Sequence, residues 1–227
     1  MKNIKSLIFL VFLFHCSCSM KKIKNDLESE NLKGRVKSII EFAYTSKMKL
    51  GEVQKDSLDS KYSFKYDEKG NKVEATMYNS DGSLFYKTIY KYDENGNKVE
   101  WNGYKADDSF FSKTKCRYDD KGNEVEWNSF NADNSLLYKS TFKYDDKGNQ
   151  IEINSYNSND SLFYKSLLKY DDRMNVIEKS DFKTDDGLPF IYYYKYNEFD
   201  AVGNWTKKIK YYKENPIEIT ERQIEYY

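Results

Sequence analysis

The 227-residue sequence predicts an all-β fold: an antiparallel meander of tandem 26-residue, two-stranded repeats, about fourteen strands, whose strongly twisted and curled sheet is sandwich-like or a flattened barrel. Three observations carry this. Tyrosines recur at 66, 92, 118, 144, 170 and 196, a constant step of 26 residues. Each repeat holds two polar knots, typified by Asp67–Gly70 and Asn79–Gly82. Between the knots lie alternating runs of about eight to ten residues, the length of strands rather than helices. Connections this short join antiparallel neighbours.

The chain opens on Lys2 and Lys5, the apolar run Leu7–Phe14, and then His15-Cys16-Ser17-Cys18. The run is too short to span a bilayer and has the charged start and apolar middle of an export signal. A cysteine directly after such a core resembles the lipobox of bacterial lipoproteins. Cys18 is the favoured lipidation site, Cys16 the competing one, and plain secretion with cleavage near Ser19 the remaining reading. The domain reading is a signal peptide over 1–18, a linker over 19–34 and a β-repeat domain over 35–227. His15 is the only histidine, so the cleaved chain has none, and Cys116 is its only thiol besides a lipidated one. That excludes Ser-His-Asp and Cys-His catalysis, zinc sites of His and Cys, and an internal disulfide. Lys+Arg and Asp+Glu both number 37, so no net charge draws the protein to nucleic acid. No cofactor is expected.

The segment Leu32–Tyr44 starts a repeat whose second loop is lengthened through Ser46–Ser60. The knots Asp67–Gly70 and Asn79–Gly82 each begin with Asp or Asn and end with Gly, which suits a four-residue hairpin loop on a type I turn. Gly96, Gly122 and Gly148, and in the second series Asp108, Asn134 and Asp160, tolerate the positive φ such a turn needs at its end. Met174 takes that place once, which predicts a distorted turn. Four-residue loops put Tyr66 opposite Asn71, Phe64 opposite Val73, Ala75 opposite Tyr86 and Glu74 opposite Lys87. One face then gathers Phe64, Tyr66, Val73, Ala75, Leu84, Tyr86, Tyr90 and Tyr92, with Trp101, Trp127 and Ile153 at the Ala75 position. The other face carries Lys65, Glu74, Thr76, Lys87 and Lys91. The recurring Glu74, Glu100, Glu126, Glu152 and Glu178 are expected to pair with lysines across the sheet.

Tyr-Asp-x-x-Gly-Asn preceded by alternating aromatics resembles the YD-repeat (Rhs-type) family of bacterial surface and secreted proteins, over Tyr62 to about Tyr212. The resemblance implies β-sheets that coil, and carbohydrate binding. This repeat is longer and more regular than the usual family unit.

Four functional readings compete. The turn carboxylates Asp93, Asp119 and Asp120, with Asn97 and Asn123, could offer calcium a few oxygens, but Lys69, Lys121 and Lys147 sit inside such turns and oppose a cation. No metal site is expected. A glycan-active enzyme could use Asp119, Asp120 and Glu126, yet those carboxylates recur in every repeat, while an active site occurs once. The preferred reading is a non-catalytic lipoprotein, lipid-anchored to the outer membrane, that binds a glycan or an envelope protein. Trp101, Trp127, Tyr86 and Tyr138 are the candidate ligand-binding residues. An outer-membrane β-barrel is the alternative, since an apolar face outward and a charged face inward is its pattern.

Overall fold

The computed structural model describes residues 24–183 and 187–227. His15, Cys16, Cys18 and the whole signal segment lie outside the described residues. A single helical turn, α1 (Asp26–Ser29), precedes fourteen antiparallel strands. They are β1 (Val36–Lys49), β2 (Glu52–Tyr66), β3 (Lys72–Asn79), β4 (Leu84–Tyr92), β5 (Lys98–Lys105), β6 (Phe110–Tyr118) and β7 (Glu124–Asn131). Then follow β8 (Leu136–Tyr144), β9 (Gln150–Asn157), β10 (Leu162–Tyr170), β11 (Val176–Lys183), β12 (Phe190–Phe199), β13 (Trp205–Tyr212) and β14 (Asn215–Tyr226). Each strand pairs with the next, and β1 pairs with β14 as well, with Ile39 opposite Ile224, so the sheet closes into a barrel. Closure removes the two free edges that an open meander would expose.

The recurring turns explain the repeat. Asp67 N–H donates to the Asn71 carbonyl at 2.9 Å and Gly70 N–H to the Asp67 carbonyl at 3.0 Å, which leaves three residues in the loop rather than four. Asp67 Oδ1 accepts from the N–H groups of Lys69 and Asn71, both at 2.9 Å, and Oδ2 accepts from the Asn71 amide at 3.0 Å. The same bonds recur at Asp93, Asp119, Asp145 and Asp171. Gly70 stands at φ 86°, where a side chain would be strained. Met174 adopts φ 64° in a turn with the same bonds, so the expected distortion is absent: the Asp171–Asn175 bonds hold the turn.

The register also differs from the expected one. Tyr66 pairs with Lys72, Lys65 with Glu74 and Phe64 with Ala75, because Val73 is an extra, bulged residue. A second irregularity puts Tyr86 opposite Met77, Thr88 opposite Ala75 and Leu84 opposite Tyr78. The bulge turns Val73 outward, where it is 36% exposed, and turns Lys72 inward beside the Phe64 and Tyr66 rings. Leu84, opposite the outward Tyr78, also leaves the inner face. Glu74 bonds Lys65 at 2.8 Å, not Lys87, which bonds Asp108 at 2.5 Å.

The outer wall carries a row of such pairs. Lys91–Glu100 (2.8 Å), Arg117–Glu126 (3.3 Å), Lys143–Glu152 (2.9 Å) and Lys169–Glu178 (2.9 Å) repeat the Lys65–Glu74 contact. Beyond the lower rim the β1–β2 hairpin continues as a two-stranded ribbon to a tip at Leu50 and Gly51, so Ser46–Ser60 is mostly strand and not a long loop.

Candidate binding lumen

Inside the barrel, the side chains opposite the Lys–Glu rows face one another across a lumen. Tyr90, Trp101, Trp127 and Phe142 form an aromatic row along the wall from β4 to β8, with ring centroids 6.0, 4.9 and 4.4 Å apart in order. Such edge-on and tilted contacts are the favoured geometry for neighbouring rings. Trp127 Nε1 donates to Glu124 Oε2 at 3.1 Å, which fixes the indole. Below the row lies a belt of small hydroxyls: Thr114 bonds Ser129 at 2.7 Å and Ser140 bonds Ser155 at 2.9 Å. The Tyr86 hydroxyl bonds Ser112 at 3.0 Å, and its ring lies across Gly103, where a Cβ would stand 1.5 Å from the hydroxyl oxygen. Only glycine lets that tyrosine lie flat.

The four candidate ligand residues all lie on this inner face. Trp101 touches Trp127; Tyr86 and Tyr138 stand nearer the lower mouth, and Tyr138 is 38% exposed. Tyr86 is four residues from Tyr90 on β4, about 13 Å of strand. The ring contacts and ion pairs among inward strand residues join strands adjacent or next-adjacent in the wall; the Tyr90, Trp101 and Trp127 rings are half-buried and Phe142 is buried. Fourteen strands enclose more space than the eight whose side chains fill a barrel.

A strap crosses the upper mouth, the one formed by the Tyr-Asp turns. The preceding Asn25 caps α1 in a capping box with Glu28. Its side-chain amide donates to the Lys69 carbonyl at 2.8 Å, and Leu27 N–H donates to the Gly70 carbonyl at 3.1 Å. Farther on, the Asn31 amide reaches the Arg173 carbonyl, and Lys33 N–H reaches Asn204 Oδ1, both at 2.8 Å. Leu27 and Leu32 pack with Val36, Ile39 and Tyr66 in a buried apolar cluster. Asp26 enters the lumen, accepts from Lys72 N–H at 2.8 Å and from the Tyr92 hydroxyl, and pairs with Lys98 at 2.5 Å. Burial opposes the Asp26 charge, but Lys98 and the donors of Tyr92 and Lys72 outweigh it and hold the carboxyl below the usual range. Lys98 is raised above the usual lysine value despite its burial by Glu124, Asp26 and Glu30. Two cavities of about 220 and 200 Å³ flank the strap.

Sequence reasoning took this strap for linker, although Asn25-x-x-Glu28 was a readable capping signal. It also missed the inward lysines, because the bulges hide which face Lys72 and Lys98 take. The carboxylates weighed for calcium are filled by their own turns: Asp119 already accepts from Lys121, Asn123 and the Asn123 amide. Asp119 and Glu126 lie at a turn and on the outer wall, apart from the lumen. Cys116 faces the lumen beside Trp127, and burial pushes its thiol up to about 12.

No family model matches the chain, and no curated protein matches it. A porin-like protein from Bacteroides uniformis ATCC 8492 is similar in structure, with TM-score 0.51 at 10% identity over 91% of this chain and 100% of that one. That likeness is one of fold alone. A porin-like protein from Bacteroides vulgatus ATCC 8482 gives TM-score 0.46 at 13% identity over 85% of this chain and 99% of that one. The TcdB2-TccC3-Cdc42 structure gives 0.34 at 11% identity over 78% of this chain and 12% of that one. Neither of these two carries an argument.

Proposed function

We propose that this protein is a non-catalytic barrel of the bacterial cell envelope, anchored through a lipidated Cys18, that stands in water and takes a saccharide into its lumen. The observation that carries this reading is the contrast between its two faces. The outer wall bears Lys–Glu pairs just below the upper rim and Asn102, Asn128 and Asn154 further down the strands, where a lipid-facing barrel bears an apolar band. The inner wall offers half-buried Trp and Tyr rings beside the part-buried Tyr86 and Ser112 hydroxyls, the combination that stacks on sugar rings and bonds their alcohols. An acyl chain calls instead for Leu, Val and Ile. The resemblance to YD repeats supports the same ligand class.

A glycan-array screen of the full chain tests it. Binding that is lost in Trp101→Ala/Trp127→Ala, with the melting transition retained, supports the lumen. Binding that survives in that variant moves the site elsewhere, and a silent array removes the saccharide reading. The second reading, a barrel that spans the outer membrane, draws on the porin-like fold likeness. It requires the purified 19–227 chain to aggregate without detergent, whereas a water-facing barrel stays monodisperse.

A further inference from the structure

Strands β12, β13 and β14 line the lumen differently from the rest of the wall. Facing inward are Tyr192, Tyr194 and Tyr196 from β12, Trp205, Lys208 and Lys210 from β13, and Glu218, Thr220 and Arg222 from β14. Lys105 and Lys183, exposed at the lower mouth, rest on the Phe111 and Phe190 rings, whereas the cations higher on the inner face outside β13 have carboxylate partners. Lys72 pairs with Glu30, Lys98 with Asp26 and Glu124, Lys179 with Asp181 at 3.1 Å, and Arg222 with Glu41 at 2.6 Å. Lys208 and Lys210 have no carboxylate within ion-pair reach among the described residues. Their ammonium groups rest on rings instead. Lys208 Nζ lies 4.6 Å from the Trp205 centroid and 5.5 Å from that of Tyr194, and Lys210 Nζ lies 4.3 Å from that of Tyr192.

We propose that Lys208 and Lys210 form an anion-binding subsite in the lumen, which takes the carboxylate of an acidic saccharide while the neighbouring rings hold its pyranose faces. The inference rests on the lumen reading above and gives it a ligand class. Three facts support it. A partly desolvated ammonium without a counter-ion is costly, and a bound carboxylate removes that cost. The two lysines are two residues apart on one strand, so both amines face the same space. Tyr192 and Tyr212, with centroids 5.7 Å apart, and Tyr196 with Trp205, also 5.7 Å apart, supply ring surfaces on either side.

The acidic neighbours set the orientation. Glu41 is engaged by Arg222, and Asp181 by Lys179 and the Tyr164 hydroxyl. Glu218 stands opposite Lys210 in register, and its Oε1 accepts from Thr220 Oγ1 at 2.9 Å. It repels an anion from the lower side and directs the carboxylate toward Lys208. The wall from β4 to β9 presents mainly rings and neutral hydroxyls at mid-height, so the ligand's charge is read on one side of the lumen and its ring faces on both.

The test is calorimetric titration of the full chain at low salt with a short oligogalacturonate and with the same oligomer fully methyl-esterified. The acid is expected to bind at least ten-fold tighter than the ester. In Lys208→Gln/Lys210→Gln that gap should close to within about two-fold, with the ester's own affinity little changed. Lys208→Arg should keep most of the gap, which separates lost charge from lost fold, and Lys113→Gln on the outer wall serves as control. Equal affinity for both oligomers, or a gap unchanged in the double variant, overturns the lysine subsite. Where Trp101 and Trp127 still govern binding, that outcome leaves the lumen reading standing. Failure of both oligomers and of every neutral glycan to bind overturns the two together.

Discussion

The Tyr118 hydroxyl donates to the carbonyl oxygen of Lys98 at 3.0 Å, twenty residues back along the chain. The bond repeats from Tyr144 to Glu124, Tyr170 to Gln150 and Tyr196 to Val176, at 2.8, 2.7 and 2.9 Å. At the upper rim the turns join β4 to β5 and β6 to β7, while the β5–β6 ladder stops at Glu100 opposite Lys115. The tyrosine clips that unladdered gap and satisfies a carbonyl that no strand reaches. This is the physical reason for the 26-residue tyrosine step.

Tyr118→Phe should therefore cost about 1–2 kcal/mol, the value of a bond whose loss leaves a carbonyl unsatisfied. Tyr118→Ala, which also removes the ring, should cost about 3–5 kcal/mol. Urea unfolding of the two variants checks the order. Tyr118→Phe and Tyr170→Phe lie two hairpins apart and should add.

Gly96 stands at φ 85° with open space where a Cβ would point. Gly96→Ala should lose about 1–2 kcal/mol through backbone strain alone. Met174→Gly, which relieves the same conformation, should gain about 1 kcal/mol. Thermal melts that move both variants the same way would refute the turn assignment.

The strap should respond to acid. Asp26 titrates below its usual value, so its contribution is fully present above pH 3.8 and is lost as pH falls through the lowered value. Hydrogen exchange at Leu27 and Leu32 should stay slow at neutral pH and quicken in acid before the barrel strands do. Asp26→Asn should show fast strap exchange at pH 7, because Lys98 then keeps only Glu124, at 3.5 Å.

Glu152 is the most heavily engaged carboxylate of the outer row. Bonds from Lys143 and Asn154, together with Lys165, lower it to about 2 despite some desolvation. Its stabilisation is complete above the usual glutamate value of 4.5 and fades as pH falls toward 2. Carboxyl NMR should show Glu152 titrating well below 4.5, and Lys143→Ala should raise it. Lys91→Ala should cost less than about 1 kcal/mol, because Lys91 is largely exposed in its pair with Glu100.

Cys18→Ala, expressed in a diderm bacterium, should move the protein from membranes to the soluble fraction and abolish fatty-acid labelling. Label that persists there and vanishes in Cys16→Ala assigns the anchor to Cys16.

Much of the fold could be read from spacing. The tyrosine step set the hairpins, and alternation placed Phe64, Tyr86 and Trp101 on one face and Lys65 and Lys91 on the other. The register could not be read, because Lys72-Val73-Glu74 hides a bulge: the apolar Val73 looks like a core residue and faces water. Closure depends on β1 meeting β14 across almost the whole chain, a contact with no local signature. The lysine subsite was hidden for the same reason as Lys72, since Lys207, Lys208 and Lys210 look alike until the wall assigns them sides.

The strap also has a mechanical consequence. It is tied at Lys69 and Gly70, at Arg173 and at Asn204 before the chain enters β1. A pull on residue 24 is therefore borne first by those few scattered bonds, which peel one at a time, and reaches the β1 ladders only after they have given way. A protein tethered by its N-terminus to a moving bilayer would thus carry its own shock absorber, which yields and re-docks while the barrel stays closed.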